Sequence, residues 1–444
     1  MKRSLGTWSL MAAIYFCVSG GPFGLEPVIQ LGPGLAILLI LVTPLIWSLP
    51  AALMTAELGS AIPEEGGYYA WVKRAMGQPW GFFSGWWSWI YSWVDVAIYP
   101  TLFVAYLGRF LELAGYHPSF EQNPWLKWGA GLLVIVPLTL LNIRGTKLMG
   151  QSGLTFFFIL LAPFVILVLF GMSHVLANPS QAVHPFSADP KGTSGAFSVG
   201  LFAVMWNYLG WDSMSTVTGE VKNPQRTVSR ALAIGFPVVI VTYLLPVLVG
   251  VVVLKDSKAW EEGAWVQVAT SLGGRWLGIT MAAAGMISSA GQFGAMLLGC
   301  SRIPFVLAED GYLPKWLTQL HAQFGTPVRA ILVSAVFYTV LSYESFKDLA
   351  VVDVVMYSSS LVLEFLALAT LRRKEPEMPR PFRIPGGWAV LTPLLLAPTA
   401  LIVFAIWSRV NEKGQLAVWA SLVALLSGPV IWHLCRPSRG ISST

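Results

Sequence analysis

Apolar runs long enough to cross a lipid bilayer recur along the whole chain. A hydrocarbon core about 30 Å thick takes about 20 apolar residues per helix, and runs of this kind, bounded by charge, glycine and proline, occur twelve times. They cover residues 7–32, 35–61, 81–112, 126–142, 150–172, 194–219, 231–254, 272–300, 328–343, 348–371, 388–409 and 416–435. Because lipid offers no water to backbone polar groups, such spans must be helices. The sequence therefore predicts an all-α polytopic membrane protein with twelve transmembrane helices.

The composition leaves no room for a large soluble domain. Charged residues make up 11% of the 444 residues, against about 25% in soluble proteins. This balance excludes a cytosolic enzyme and a secreted, disulfide-built domain. We predict one transmembrane domain over residues 1–435 and a short cytoplasmic tail over residues 436–444. Cys17, Cys300 and Cys435 lie within or at the ends of apolar runs, and we predict no disulfide among them.

Positive charge is distributed unevenly between the loops. Lysine and arginine gather in cytoplasmic loops of multi-span proteins. With the N-terminus inside, 19 of the 28 lie on the cytoplasmic side and 9 on the other. We therefore expect both termini to be cytoplasmic, in a plasma membrane or a bacterial inner membrane. The net charge of +6 is then explained by basic residues that orient the protein in the membrane and face lipid headgroups. We therefore predict no nucleic-acid partner. The alternative, that Lys2 and Arg3 begin a cleaved signal peptide, is incompatible with this topology.

Two connectors have a distinctive composition. Residues 372–387 contain four prolines, which forbid a helix and favour an extended strap. Residues 66–77 mix aromatic residues with Lys73 and Arg74, a pattern typical of an amphipathic helix at the membrane interface. An ordinary solvated connector fits that segment equally well.

Two of the predicted spans are interrupted at their centres. The segment Ser19–Gly24 holds three glycines and a proline, which cannot propagate an α-helix. The segment Asn207–Asp212 interrupts the sixth span in the same way. Paired interruptions in the first helix of each five-helix half are typical of inverted-repeat transporters, whose central site is built from unwound backbone. The repeats would cover residues 7–172 and 194–371, with peripheral helices over 388–435. Close helix packing by the glycines is the alternative.

Five acidic residues fall inside the predicted spans. Placing a charge in a span costs about 2.5 to 3.5 kcal/mol on insertion scales, so such residues face a pathway by default. The acids are Glu26, Asp95, Asp212, Asp353 and Glu364. No basic residue lies in mid-span to neutralise them. We therefore expect them to attract a cationic substrate or a proton.

Each acid also has a structural alternative. Glu26 fits a cap at the first break, and Asp212 fits an N-cap after the second break. Asp95 fits a hydrogen bond to a neighbouring hydroxyl or amide. Asp353 fits an outer vestibule, and Glu364 fits a pair with cytoplasmic arginines.

Aromatic residues next to a break or an acid are the favoured lining of a cation site. Each adds about 0.5 to 2 kcal/mol of cation–π attraction. The predicted substrate-binding residues are Gly20, Gly21, Phe23, Glu26, Asp95, Tyr99, Trp206, Tyr208 and Trp211, with Asp353 and Tyr357 as vestibule or secondary residues. Packing and interface anchoring are the alternative roles of these aromatics.

Several classes of chemistry find no support in the sequence. The five histidines form no metal-ligand cluster, and no in-span serine and histidine pair indicates a membrane hydrolase. The chain has no Gly-x-x-x-x-Gly-Lys motif to bind ATP. We therefore predict no enzyme, no cofactor and no metal site.

Seven stretches carry a resemblance to a known family. They are SGGPFGLE (19–26), AELGSAIPEEGGYYAWV (56–72), VDVAIYPTLF (94–103), NYLGWDS with GEVKNPQR (207–226), LAEDGYLP (307–314), GTPVRAI (325–331) and RPFRIP (380–385). In these, the chain resembles the amino acid, polyamine and organocation transporters, and most closely their polyamine symporter branch. The resemblance implies a leucine-transporter-type 5+5 repeat, two peripheral helices, and cation-coupled uptake of small amines or amino acids.

The chain departs from that branch after Glu26. Pro27 stands where the branch usually has a second acid, which leaves the length and charge of the substrate open. The fifth span also lacks the lysine that some relatives use in proton coupling. Coupling must then use an acid, and we favour Asp212 because it closes the second break.

These features together predict a secondary transporter working by alternating access. It would import small cationic amines, in particular polyamines, coupled to protons, with sodium as the other possible ion. An amino acid permease of the same fold is the alternative. A membrane-embedded enzyme or channel is the alternative of another class. Membrane lipids are its other expected partners.

Overall fold

The computed structural model describes residues 6–64, 66–116, 123–144, 147–177, 197–344, 346–411 and 415–435. Within these ranges the regular structure is entirely helical. The predicted tail, 436–444, lies outside the described residues, as do Lys2 and Arg3. The helices of the first part are α1 (Thr7–Val18), α2 (Glu26–Ile29), α3 (Pro33–Ala61), α4 (Tyr68–Met76), α5 (Gln78–Leu113), α6 (Pro124–Arg144) and α7 (Lys147–Ala177).

The second part continues the same helical pattern. It comprises α8 (Phe197–Trp206), α9 (Pro224–Val253), α10 (Ala264–Cys300), α11 (Arg302–Glu309), α12 (Val328–Leu341), α13 (Phe346–Lys374), α14 (Gly387–Asn411) and α15 (Gln415–Cys435). In the described ranges, nine helices are long and apolar enough to cross a membrane, and α1, α8 and α12 are shorter apolar helices. Each of the twelve predicted spans thus has a helical counterpart, and the first and sixth are broken as predicted.

The largest differences from the predicted boundaries are at three places. Helix α9 begins at Pro224 rather than 231, and α10 begins at Ala264 rather than 272. The first turns of both helices contain polar residues, which lower the local hydropathy, so hydropathy alone assigns these turns to loops. After the second break the chain forms a 3₁₀-helix, Ser213–Glu220, instead of continuing as an α-helix. Serine and threonine there bond to backbone carbonyls three residues earlier, Thr218 Oγ1 to Ser215 O at 2.9 Å for example, which competes with α-helical pairing.

Helix α13 lies at the centre of the molecule and α15 at its edge. In α13, 78% of the apolar window is buried, against 17% in α15 and 22% in α14. Helix α5 packs most extensively against α10 and α13. The apolar faces left exposed on α6, α7, α14 and α15 are those that a bilayer would cover. This agrees with the expected pair of peripheral helices at the end of the chain.

The segment between α3 and α5 is the helix α4, as the amphipathic pattern predicted. Its apolar residues do not face lipid, because Trp71 and Val72 are fully buried against neighbouring helices. Its polar face reaches Asp310, which accepts hydrogen bonds from the Tyr69 hydroxyl and, at 2.6 Å, from Lys73 Nζ. Helix α4 therefore joins the end of α3 to the segment after α11.

The proline-rich strap after α13 is held by one buried carboxylate. Glu57 Oε2 lies 2.5 Å from Arg372 Nη2 and accepts the backbone N–H of Ile384 at 2.8 Å. Arg380 Nε lies 3.3 Å from the other carboxylate oxygen of Glu57. Since all three charged side chains are nearly inaccessible to solvent, this cluster fixes α3, α13 and the strap to one another.

We expect Glu57→Gln to lower the free energy of unfolding by about 3 to 5 kcal/mol, because it leaves buried guanidinium groups without their counter-charge. Thermal unfolding of the purified protein in detergent measures this. The matched control is Glu375→Gln. Glu375 pairs with Arg74 at 2.7 Å on the surface, and that guanidinium holds the pKa of Glu375 below its usual range. Its loss should cost less than about 1 kcal/mol. Equal shifts in the two variants would contradict the prediction.

Candidate functional site

The first helix break depends on glycines in the left-handed region. Gly20, Gly21 and Gly24 have φ of 58°, 97° and 89°, which strains any residue with a Cβ. A Cβ on Gly20 would also lie 2.1 Å from Nε2 of Gln292 on α10. The break therefore needs glycine for its backbone conformation, whereas the contact with α10 involves only the flexible end of the Gln292 side chain, which can shift.

The carbonyl groups freed by this break are bonded to other helices. The Ser288 hydroxyl donates to Gly20 O. Trp265 Nε1 donates to Pro22 O at 2.9 Å, and Asn207 Nδ2 donates to Gly24 O at 3.0 Å. Side chains of the protein thus donate the hydrogen bonds that these backbone carbonyls require and that lipid could not supply.

The second break is tied to the first by Asn207. Its side-chain amide donates a hydrogen bond to Gly24 O, and its backbone carbonyl accepts one from the Tyr243 hydroxyl at 2.7 Å. The backbone carbonyl of Tyr208 accepts a hydrogen bond from Ser48 Oγ at 3.1 Å. Ser48 ends the π-helical turn Pro44–Ser48 within α3. Because the Asn207 side chain of the second break bonds the backbone of the first break, the two unwound segments lie side by side at the centre of the protein.

A cavity lies at this junction. Its volume is about 20 Å³, room for about one water molecule, so the cavity must widen to admit a small-molecule substrate. Helices α1, α5, α8, α10 and α13 contribute to it, as does the second break. The lining residues are Cys17, Val18, Tyr91, Asp95, Tyr99, Trp206, Leu209, Gly210, Ser213, Gln292, Met296, Asp353 and Tyr357.

Asp95 lies in this lining with two aromatic donors. The Tyr99 hydroxyl donates to its oxygens at 3.1 and 3.3 Å. Trp206 Nε1 donates to Oδ1 at 3.2 Å across the gap between α5 and α8. The structure therefore brings together three of the residues predicted to bind substrate.

Asp353 lies in the same lining without such donors. Its side chain is fully buried, and neither carboxylate oxygen has a hydrogen-bond partner among the described residues. Tyr357, one helical turn further along α13, lines the cavity with it. Both residues were expected as vestibule or secondary residues, and in the structure they belong to the lining of the central cavity.

Asp212 lies directly behind the lining. Gly210 and Ser213 on either side of it face the cavity, and its Oδ1 accepts the Tyr357 hydroxyl at 2.5 Å. Although Asp212 precedes the 3₁₀-helix, it makes no side-chain capping bond there. The structure therefore does not support the capping alternative.

Glu26 lies outside the cavity lining and is fully engaged. Its Oε2 accepts the Gly24 N–H at 2.7 Å, and its Oε1 accepts the Tyr106 hydroxyl at 2.7 Å and the Gly263 N–H at 3.3 Å. These bonds match the alternative in which Glu26 caps the first break. A direct contact with substrate would have to displace them.

The other predicted residues surround the site without lining it. The Phe23 ring packs against Tyr106, with ring centroids 4.8 Å apart. The Tyr208 hydroxyl donates to Ile40 O at 2.9 Å. Trp211 packs against Phe236. Gly20 and Gly21 shape the break, and the Gly21 N–H bonds Ser19 Oγ at 3.1 Å.

The alternative in which Glu364 pairs with cytoplasmic arginines finds no support among the described residues. Arg372 and Arg380 bind Glu57 instead, and the carboxyl of Glu364 lies beside that of Asp212. Its Oε1 is 3.5 Å from Ser360 Oγ. Among the described residues, no group of three or more His, Cys, Asp or Glu side chains could hold a metal ion.

Sequence reasoning missed the contribution of α10 to the site. Gln292 and Met296 line the cavity, and Gln292 Nε2 bonds Ser288 Oγ at 3.1 Å. A glutamine in an apolar span is itself a polar signal of the kind that singled out the acids. Cys17 and Tyr91 carried no comparable signal, because both are ordinary residues of buried helices.

Cys17 makes the cavity accessible to a chemical test. It lines the cavity, and its thiol is buried in this conformation, so a reagent reaches it only when the cavity opens. We expect a small thiol-specific reagent to inhibit transport and a bound substrate to slow that inhibition about tenfold. Mass spectrometry of the labelled protein measures the rate. Cys17→Ser should be insensitive, whereas labelling of Cys17 at an unchanged rate with saturating substrate would place the substrate elsewhere.

Comparison with known proteins places the chain in a family. The amino acid permease family matches residues 5–431. The chain is 37% identical to polyamine transporter RMV1 of Arabidopsis thaliana, over 95% of this chain and 83% of the relative. It is 34% identical to polyamine transporter PUT1 of Oryza sativa subsp. japonica, over 97% and 78%.

A solved structure shares its fold. The crystal structure of MhsT in complex with L-phenylalanine superposes with a TM-score of 0.68 at 14% sequence identity, covering 92% of this chain and 99% of MhsT. This likeness confirms the leucine-transporter-type fold that the family resemblance implied. The match over nearly the whole sequence shows that the chain belongs to the amino acid permease family of membrane transporters.

Proposed function

We propose that this protein imports small cationic amines, in particular polyamines, by proton-coupled alternating access. The names of the relatives at 37% and 34% identity support the substrate class. We assign no enzymatic activity to the chain. We further propose a plasma-membrane location with both termini cytoplasmic, on the strength of the charge bias between the loops.

The observation that carries the proposal is the charge of the cavity. Asp95 and Asp353 both face it, and the described lining contains no lysine, arginine or histidine. A buried carboxylate without a counter-charge or hydrogen bonds is costly. An ammonium group donates up to three hydrogen bonds and carries the missing charge. Such a group would satisfy the two Asp353 oxygens that lack partners.

The surrounding residues have separate roles in this proposal. Asp95 and Asp353 bind the cationic groups of the substrate, and Tyr99, Trp206 and Tyr357 form the aromatic wall that favours a cation. The residues around the breaks act on substrate binding through the shape of the cavity. These are Gly20, Gly21, Phe23, Glu26, Tyr208 and Trp211. Asp212 carries the coupled proton, because its carboxyl lies at the break and reaches the cavity through Tyr357.

Competition in proteoliposomes tests the substrate class. Uptake of labelled putrescine is measured with and without an inward pH gradient, in the presence of excess unlabelled putrescine, spermidine or a neutral amino acid. We expect the amines to block uptake and the amino acid to have little effect. Saturable uptake of a labelled neutral amino acid, with no saturable uptake of putrescine, would establish the rival function, an amino acid permease with the same fold. Flux that neither saturates nor follows a gradient would indicate a channel.

A further inference from the structure

Helix α13 carries a continuous polar stripe through the centre of the protein. Asp353, Tyr357, Ser360 and Glu364 follow one another at intervals of four, three and four residues, which places them on one face of the helix. All four side chains are buried. From Asp353 to Glu364 the stripe extends about 16 Å along the helix axis.

Helix α5 carries a stripe with the same spacing. Ser84, Ser88, Tyr91 and Asp95 are again separated by four, three and four residues, and all four are buried. Both stripes lie in helices that consist mainly of apolar and aromatic residues. Buried polar groups in a membrane helix are costly unless they meet partners, so two matching stripes call for a common explanation.

The two stripes face each other in antiparallel register. Ser360 Oγ lies 3.0 Å from Ser88 Oγ and 3.4 Å from Ser84 Oγ. The rings of Tyr357 and Tyr91 meet edge to face, with centroids 5.4 Å apart. Asp353 and Asp95 line the cavity at one end. We name these eight facing residues the polar track.

The track ends at a pair of carboxyl groups. Glu364 is almost fully buried, its Oε2 has no hydrogen-bond partner among the described residues, and its carboxyl lies beside that of Asp212. Asp212 in turn accepts the Tyr357 hydroxyl. A proton shared by the two carboxyls would give Glu364 Oε2 the donor it lacks. The pair therefore has the geometry of a site for one proton.

Among the described residues, the groups that interact with this pair are weakly polar and bring no positive charge. They are Tyr357 on α13, Tyr68 on α4, Tyr91 on α5 and Cys17 near the end of α1. Of the two arginines in the last turn of α13, Arg372 is bound to Glu57, and Arg373 lies over the Trp388 ring at 4.9 Å from its centroid. A proton is then the cation that neutralises one of the two carboxyls.

We propose that Asp212 and Glu364 together hold the coupled proton, and that the polar track connects this pair with the substrate cavity. The inference rests on the proposed proton coupling. When the cavity opens to the outside, water delivers one proton along the track and one carboxylate of the pair becomes a carboxylic acid. When the protein opens to the side where α13 ends in Arg372–Lys374, that acid returns the proton to water. The substrate never contacts Glu364.

The test uses the full-length protein in proteoliposomes. Three quantities are measured: exchange of labelled putrescine at equal pH, accumulation driven by a pH gradient, and proton movement reported by a pH dye trapped in the lumen. For Glu364→Gln we expect exchange within about twofold of the unmodified protein, and accumulation and proton movement reduced about tenfold or more. Unchanged accumulation and proton movement in Glu364→Gln would overturn the proposal.

A neighbouring pair of serines provides a matched control. Ser360 belongs to the track, whereas Ser359 bonds only to the carbonyl of Val355 at 3.1 Å within its own helix. Ser360→Ala should slow pH-driven uptake several-fold and leave exchange intact, and Ser359→Ala should change neither. Equal effects of the two alanine variants would contradict the track. This comparison decides the question even if Glu364→Gln fails to fold.

The same data separate this inference from the proposed function. If the unmodified protein exchanges putrescine but does not respond to a pH gradient, proton coupling fails and the inference fails with it. If the unmodified protein and Glu364→Gln respond equally while Asp212→Asn does not, the proposed function holds and only the role of Glu364 is refuted.

Discussion

Replacing Asp353 with asparagine is expected to weaken binding of a diamine or polyamine about a hundredfold, or about 3 kcal/mol. Asparagine keeps the size of the side chain and removes its charge. Among the described residues, neither oxygen has a hydrogen-bond partner, so an ammonium group is the first partner of this carboxylate and its binding does not break an existing hydrogen bond. Asp95→Asn should have a smaller effect, over about 1 kcal/mol, because Tyr99 and Trp206 already offset the charge of Asp95.

Binding of labelled spermidine to the purified protein measures this effect. A matched control is Asp256→Asn, the same change at an exposed aspartate in the segment before α10. It should leave the affinity unchanged. The substrate-free Asp353→Asn protein should be at least as heat-stable as the unmodified protein, because the change removes a buried charge. Normal amine affinity in a folded Asp353→Asn protein would refute the charge-pairing account of the cavity.

Replacing Asp212 with asparagine is expected to abolish accumulation driven by a pH gradient while permitting exchange of substrate across the membrane. Asparagine mimics the protonated carboxyl, so both substrate-bound states remain accessible. A pH gradient drives accumulation only if the inward-facing and outward-facing states bind the proton with different affinities. The variant binds no proton at position 212, so the gradient no longer favours one state over the other. The loss of concentrative uptake should be about tenfold or greater.

Parallel measurements of exchange and accumulation in proteoliposomes separate these effects. Tyr357→Phe is an informative companion, because it removes the hydroxyl that donates to Asp212 and keeps the ring. It should alter the pH dependence of uptake more than the affinity for substrate. If Asp212→Asn still concentrates substrate under a pH gradient alone, the coupling role passes to Glu26 or Asp95.

The amino-acid sequence alone was enough to predict the twelve spans and both breaks. Hydropathy over about 20 residues decides whether a segment enters lipid, and this property is local. The conformational limits of glycine and proline at Ser19–Gly24 are local as well. The sequence also identified five of the six acids that are buried among the described residues, all except Glu57, because a carboxylate in an apolar run is visible without knowledge of its neighbours.

Only the tertiary structure decided which acids face the cavity. Glu26 looked like a substrate ligand because it follows the first break, yet its oxygens are engaged by Tyr106 and by the Gly263 N–H. The latter group lies 237 residues away in sequence. Asp353 had no such neighbours and remained available at the cavity. Whether a carboxylate is satisfied depends on donors from distant helices, which local patterns do not encode.

The polar track shows the same division. The spacing of four, three and four residues is visible in α5 and α13 separately. That the two stripes meet, with Ser88 opposite Ser360 and Tyr91 opposite Tyr357, depends on the rotation and antiparallel register of helices more than 250 residues apart. Packing of the whole helix bundle sets that rotation. The sequence determined which groups are polar and buried, and the packing of the helices determined which of them meet.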